Sequence, residues 1–240
     1  MRKIFKDCSE LFLSVLFPRR CAICDRTIAG NRTVCDGCSK GIKLIEDPTC
    51  MKCGKSLVSE EELFCYDCKR TYKAYDRGFA VFEYSYIKNS LYRFKYASRA
   101  EYSRFYAEKT IEKYGDLMVR LGIEAFIPVP IHRKRQEARG YNQSYEYAKD
   151  LSELTHIPVD SKLILRQINT IPLKKLRPNE RQKNLKKAFK LNRNDVKFRR
   201  VCIVDDIYTT GATISSIAEL LKSAGVKEVY FVAIAIGTGL

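Results

Sequence analysis

Val201-Cys-Ile-Val-Asp-Asp-Ile-Tyr-Thr-Thr-Gly-Ala-Thr213 is the stretch that decides the fold. Its four leading apolar residues, Val201 to Val204, read as a buried parallel strand, and open α/β sheets bind ligands at the carboxyl ends of such strands. Thr209, Thr210, Gly211, Ala212 and Thr213 then bring hydroxyls, small side chains and free backbone N–H groups to a helix N-terminus. That is an anion site by geometry and by dipole. Gly211 permits close backbone approach. Asp205 and Asp206 would repel a bare phosphate next to this site, so their use is to accept hydrogen bonds from sugar hydroxyls or to hold magnesium through water. The plainer alternative, a capping Thr and two solvated turn acids, explains single residues of the stretch but not the whole pattern.

Outward from this stretch the pattern is that of an α/β domain running from about residue 75 to 240. A helix from Ile214 to Ala224 with Gly225 as its stop, followed by a strand from Val229 to Ile236, completes a right-handed parallel crossover. Upstream, Phe79 to Tyr84 reads as a strand, and Tyr114, Leu117, Met118 and Leu121 follow the three-four spacing of a helix face that ends at Gly122. Ala125-Phe-Ile-Pro-Val-Pro130 is a short strand that stops at its prolines, and a helix is predicted from about Gln143 to Leu154. Residues 162 to 200 are strongly basic with weak periodicity. Pro172 and Pro178 interrupt them, so strands and a long mobile loop are expected.

Residues 21 to 72 are different in kind. Eight of the ten cysteines stand there as Cys21-x-x-Cys24, Cys35-x-x-Cys38, Cys50-x-x-Cys53 and Cys65-x-x-Cys68, with 10, 11 and 11 residues between successive pairs. Two residues between thiolates place both sulfurs on one ion, and two such knuckles close a tetrahedral four-cysteine shell with no position left for water or substrate. The expectation is two structural zinc ions in a double ribbon. Sequential pairing makes each ribbon a self-contained unit; cross-braced pairing is the alternative. Disulfides would require an oxidising compartment, and the chain shows no export signal, so thiolates in a reducing cytoplasm are expected. Cys8 and Cys202 stand apart and read as ordinary buried thiols. Residues 1 to 20, with the apolar run Leu11 to Phe17, read as a leading packing helix rather than a membrane-surface anchor, and no stretch reaches the length that spans a bilayer.

The 240 residues include 44 Lys and Arg against 28 Asp and Glu, a net charge of +16, which points to polyanionic partners. Residues 131 to 200 hold 19 of the basic and 7 of the acidic residues and so carry +12 of that charge. Aromatics are interleaved with charge at Tyr92, Phe94, Lys95 and Tyr96 and again at Arg139 and Tyr141, as a surface that stacks single-stranded DNA requires. Core packing is the alternative use of these rings. No residue reads as a convincing nucleophile, and His156, following a helix, reads as a surface residue.

The 201–213 stretch resembles the phosphoribosyl-diphosphate (PRPP) signature of type I phosphoribosyltransferases, although Tyr208 stands where an aliphatic residue is expected. The resemblance implies that Asp205 and Asp206 contact the ribose hydroxyls or magnesium and that Thr209 to Thr213 hold the 5′-phosphate. Pro128-Val-Pro130, Arg139-Gly-Tyr-Asn-Gln143, Glu180-Arg181, Asn184, Ala188 and Phe189, together with the cysteine pairs, resemble the ComF/ComFC competence proteins from about Leu11 to the end. Leu173, after Thr170-Ile-Pro172, departs from the Gln often found there. The resemblance implies a type I phosphoribosyltransferase-like sheet behind a double zinc ribbon. It further implies a diphosphate grip at Ile131, His132, Arg133 and Arg139 within and after the loop Pro130 to Arg135, and a covering loop from Arg166 to Arg181. The implied partners are PRPP with magnesium, single-stranded DNA, and a competence helicase and recombination mediator. Two functions follow: a ligand- and DNA-binding protein of DNA uptake, or an active phosphoribosyltransferase of nucleotide metabolism.

Overall fold

The computed structural model describes residues 18–167, 188–193 and 195–237. Residues 1 to 17 of the expected leading helix, with Cys8, and the loop residues Thr170 to Leu173, Pro178, Glu180, Arg181 and Asn184 lie outside them.

Four parallel strands form the sheet: β1 (Arg77–Glu83), β2 (Ala125–Pro128), β5 (Arg200–Tyr208) and β6 (Glu228–Ile236), in the order β1-β6-β5-β2. A separate antiparallel pair joins β3 (Ile164–Arg166) to β4 (Phe189–Leu191). The helices in chain order are α1 (Asp36–Ser39), α2 (Tyr66–Arg70), α3 (Tyr84–Tyr96), α4 (Tyr102–Arg120), α5 (Arg133–Arg139), α6 (Gln143–Thr155) and α7 (Ala212–Ser223). The continuous apolar runs of β1, β5 and β6 follow from burial on both faces, since alternate side chains must enter opposite cores. Val201 and Ile203 pack with Ile214, Ile217 and Leu221 of α7 on one face. Cys202 and Val204 pack with Phe94 of α3, Phe105 of α4 and Tyr147 of α6 on the other. Cys202 is fully buried, as its position in a strand implied.

β5 continues four residues beyond the apolar run. Asp205, Ile207 and Tyr208 stay in register with Ala233, Ala235 and Ile236 of β6, so the two acids lie on the strand's last turns of pleat rather than in the loop. β2 stops at Pro128 as its prolines dictate, and α4 ends where Gly122 takes the left-handed conformation at φ 60. α3 and α5 were not foreseen: the first is a mixed aromatic and polar run, the second a seven-residue helix that begins within the expected diphosphate loop and runs past its end.

The cysteine module lies along the outer strand β1. Ile45, between the two ribbons, donates its N–H to Val81 O at 2.9 Å, and a Cβ on Gly54 would come within 2.9 Å of Ala80 N and Gly78 O. The first ribbon packs Ala22 into the helical face of the core, and the second sinks Cys50, Cys53 and Cys65 into the opposite, α7 face.

Candidate functional site

α7 opens on Gly211, at φ 74, and its first intrahelical bond is from Ser215 N to Gly211 O. The amides ahead of Ser215 therefore have no intrahelical acceptor and face outward from the helix start. Thr209 to Ile214 curl around a hollow of about 30 Å³, bounded also by Asp205, Ile207 and Tyr208. Tyr208, bulkier than the aliphatic residue expected, is the floor of this loop. Its ring stacks on Phe231 at 4.9 Å, and its hydroxyl bonds the hydroxyl of Tyr75 at 2.7 Å.

Both acids point into one corner at the carboxyl edge of the sheet. Asp205 Oδ1 accepts from Ser144 Oγ at 3.2 Å and from the N–H of Asp206 at 2.9 Å. Burial, with the charge of Asp206, pushes Asp205 up to about 7. Asp206 Oδ2 pairs with Lys95 Nζ at 2.9 Å, in a contact whose side chains are 17% and 16% exposed. Ser144 and Lys95 are thus part of the site. Neither was assigned there from sequence, because their pairing with residues 205 and 206 is made only by the fold.

The Arg139-Gly-Tyr-Asn-Gln143 segment is the joint that holds this corner. Gly140, at φ 83, ends α5, and Asn142 begins α6 by accepting from Ser144 N at 3.1 Å while donating to Val129 O at 3.1 Å. That cap places Ser144 opposite Asp205. Arg139 donates to Gln143 Oε1 at 2.9 Å and to Tyr96 OH at 3.2 Å, with its guanidinium 4.9 Å from the centre of the Tyr96 ring.

The expected diphosphate residues stand in different settings. His132 spends its Nδ1 on the Lys134 N–H as the cap of α5, and Arg133 is exposed and paired with Glu137 at 2.8 Å. Ile131 and Arg133 border a cavity of about 760 Å³ that runs beneath β3 and β4, with Tyr141, Tyr145, Arg166 and Lys190 in its wall. Burial, and then the charge of Arg135, lowers the pKa of Arg166, which also feels Asp205.

The aromatic series divides. Tyr92 and Tyr96 are exposed on α3, 64% and 60%, with ring centres 5.1 Å apart. Phe94 is fully buried on the opposite face of the helix with Ile87 and Leu91, so it is a core residue and not a stacking one. Tyr141 is tied through its hydroxyl to Phe94 O.

The cysteines gather as two groups, Cys21, Cys24, Cys35 and Cys38, and Cys50, Cys53, Cys65 and Cys68, each with its ligand atoms within 4.8 Å of one another. Four thiols around one point, with no other donor in either group among the described residues, fit a closed structural zinc shell. The grouping is the sequential one.

Residues 12–69 match the double zinc ribbon domain and residues 137–237 the phosphoribosyl transferase domain. Over 225 residues the chain is 32% identical to competence protein F of Haemophilus influenzae, covering 89% of this chain and 95% of that one. The chain belongs to the competence protein F family. It is also 28% identical over 217 residues to the DNA utilization protein YhgH of Escherichia coli K12, covering 88% and 94%, and 26% identical over 211 residues to competence protein ComFC of Bacillus subtilis, covering 80% and 79%. In this competence protein F relative the phosphoribosyl transferase match starts at Glu137, inside α5. Lys95 and the Tyr75 hydroxyl beneath the loop therefore come from outside the matched segment.

Among the described residues no helix is long and apolar enough to cross a membrane.

Proposed function

We propose that the protein binds PRPP or a closely related phosphoribosyl ligand with magnesium, and that it binds single-stranded DNA on the adjoining surface of α3 and α5, as a protein of DNA uptake. The observation that carries the ligand reading is the pairing of a helix-start hollow with two carboxylates on one strand end. The hollow suits a 5′-phosphate. Asp205 and Asp206, a few residues away, suit the hydroxylated edge of the attached sugar or a magnesium ion held through water. Magnesium, when bound with the ligand, neutralises the diphosphate charge; this chain's contribution is to present the carboxylates and keep them in one corner through Ser144 and Lys95.

Tyr92, Tyr96 and Arg139 support the DNA reading. They are neighbouring rings and a guanidinium at the surface, as a stacking platform for successive bases needs. Lys95 leaves the same helix one residue before Tyr96 and ends on Asp206, so the platform and the ligand corner adjoin. The cytoplasm suits both roles, since its reducing conditions keep the eight thiols available to metal.

Calorimetric titration of the zinc-loaded protein with PRPP and magnesium tests the first part. Heat is expected with the wild type and none with Asp205→Asn/Asp206→Asn; absence of heat with the wild type overturns the ligand reading. For the second part, oligonucleotide affinity is expected to rise as salt is lowered, to survive the double Asp variant, and to weaken in Tyr92→Ala/Tyr96→Ala. Loss of both activities in the folded Asp variant would mean one shared site.

The cavity beneath β3 and β4 favours a second reading, transfer of the phosphoribosyl group to a nitrogenous acceptor. It is large enough for such a molecule, and Arg133 of α5 and Arg166 of β3 stand in its wall. Diphosphate release from PRPP on addition of an acceptor would establish it.

A further inference from the structure

The two cysteine centres grip different parts of the molecule. The first ribbon holds α3, α4 and their connector: Arg93 donates to Ile23 O at 2.5 Å, Tyr86 to Gly41 O at 3.0 Å, Arg99 pairs with Asp25 at 3.1 Å, and Thr33 Oγ1 donates to Glu108 Oε2 at 2.9 Å. The second ribbon holds the phosphate loop. Cys50, Cys53 and Cys65 share one core cluster with Tyr75, Tyr208 and Ile214, and Lys52, inside the Cys50–Cys53 knuckle, lies 5.4 Å from the centre of the Tyr75 ring. Directly after Cys68 and α2, the connector makes three contacts with the loop. Lys73 Nζ donates to Thr210 O at 2.5 Å, Ala74 N to Ser215 Oγ at 3.4 Å, and the Tyr75 hydroxyl meets that of Tyr208.

We propose that the second ribbon is the brace of the phosphate loop and that Lys73 is its positioning residue. Thr210 O and Gly211 N–H belong to one peptide unit. A cation on the carbonyl fixes which way that peptide faces and polarises it, so the Gly211 N–H becomes a stronger donor to an anion in the hollow. Gly211 needs such a hold, because at φ 74 a glycine peptide is otherwise free to turn over. Tyr208 sets the height of the loop: a Cβ on Gly211 would meet its hydroxyl at 2.5 Å. Tyr75 satisfies that buried hydroxyl and so keeps the post upright. The first ribbon makes none of these contacts among the described residues. Its metal centre serves the helix that presents Tyr92, Lys95 and Tyr96.

The ligand part of this proposal rests on the phosphate reading above; the brace itself does not. Hydrogen exchange of the ligand-free, zinc-loaded protein tests the brace. Lys73→Met and Cys65→Ser are each expected to speed exchange across Thr209 to Ser215, while Cys35→Ser speeds it in α3 and leaves the loop unchanged. Unchanged loop exchange in Lys73→Met, or equal loop exchange in Cys35→Ser and Cys65→Ser, overturns the proposal. If Cys65→Ser fails to fold, Lys73→Met and Tyr75→Phe carry the test with all eight cysteines in place. In PRPP titrations Lys73→Met should weaken binding roughly tenfold to a hundredfold, the range of one charge-assisted hydrogen bond, and Lys73→Arg should restore most of it. Lys73→Met with wild-type affinity contradicts the positioning role. A wild type that binds no PRPP would sink the ligand reading while the exchange result still decides the brace.

Discussion

Asp205 holds its carboxyl beside Asp206 in a partly closed corner, and burial with that neighbouring charge moves it from the ordinary 3.8 to about 7. A carboxyl whose folded pKa is raised binds more protons in the native state than in the unfolded chain across that interval. Stability therefore falls as pH rises from about 4 to 7, and the full cost is present above 7. Asp205→Asn removes the cost: thermal melts should show the variant more stable than wild type by about 1–3 kcal/mol at pH 8, with the gap narrowing toward pH 4. Ligand affinity should move in the opposite sense. Ribose hydroxyls and magnesium need the ionised form, so calorimetric affinity for PRPP with magnesium is expected to increase between pH 6 and 8. Gly211 offers a second test at this scale. A side chain there meets both a left-handed backbone and the Tyr208 hydroxyl, so Gly211→Ala should lower stability by about 1–3 kcal/mol and abolish the calorimetric signal.

At the scale of elements, α3 joins the two proposed binding surfaces, since its exposed face carries Tyr92 and Tyr96 and its last turn sends Lys95 to Asp206. With both partners mostly buried, removing only one leaves a charge that water cannot fully solvate. Lys95→Met should cost about 1–3 kcal/mol in urea unfolding, between the values for exposed and buried pairs, and adding Asp206→Asn should recover part of it. Additive losses would show that the pair contributes nothing. This helix also marks the limit of what could be read from sequence. β1, β5, β6 and α7 were legible because a parallel sheet covered on both faces writes an unbroken apolar run, and Gly122, Gly211 and Gly225 punctuate it at left-handed turns. The cysteine pairs were legible because zinc dictates their spacing. α3 was not, since Tyr and Phe serve surface and core alike, and only packing assigns Phe94 to the interior and Tyr96 to solvent. The contacts of Asp205 with Ser144 and of Asp206 with Lys95 have no local signal at all. They arise from the convergence of β5, α3 and α6 at one sheet edge.

The whole molecule must protect two sheet edges, and it does so by different means. At β2, the chain after α6 folds back: Phe126 N donates to Pro158 O at 2.9 Å and Asp160 N to Phe126 O at 3.0 Å, a cover made of ordinary backbone pairing. At β1 the cover is the segment between the two ribbons together with the start of the second, with Ile45 bonded to Val81 and the Gly54 turn pressed against Gly78 and Ala80. Such a small, loop-rich module has little core of its own, and the metal's share of its folding free energy, on the order of 10 kcal/mol or more per structural site, is large compared with the stability of a domain. Chelation should therefore do more than remove two ions. It should strip the cover from β1, expose an apolar edge strand with unpaired backbone groups, and promote edge-to-edge association. Light scattering coupled to size exclusion is expected to show higher-mass species after treatment with a strong chelator at neutral pH, and the starting mass again when zinc is returned before aggregation becomes irreversible. Ile45→Pro, which deletes the N–H that bonds Val81, should show the same shift with zinc still bound. Unchanged mass in both the chelated protein and this variant would mean that β1 is shielded by packing alone.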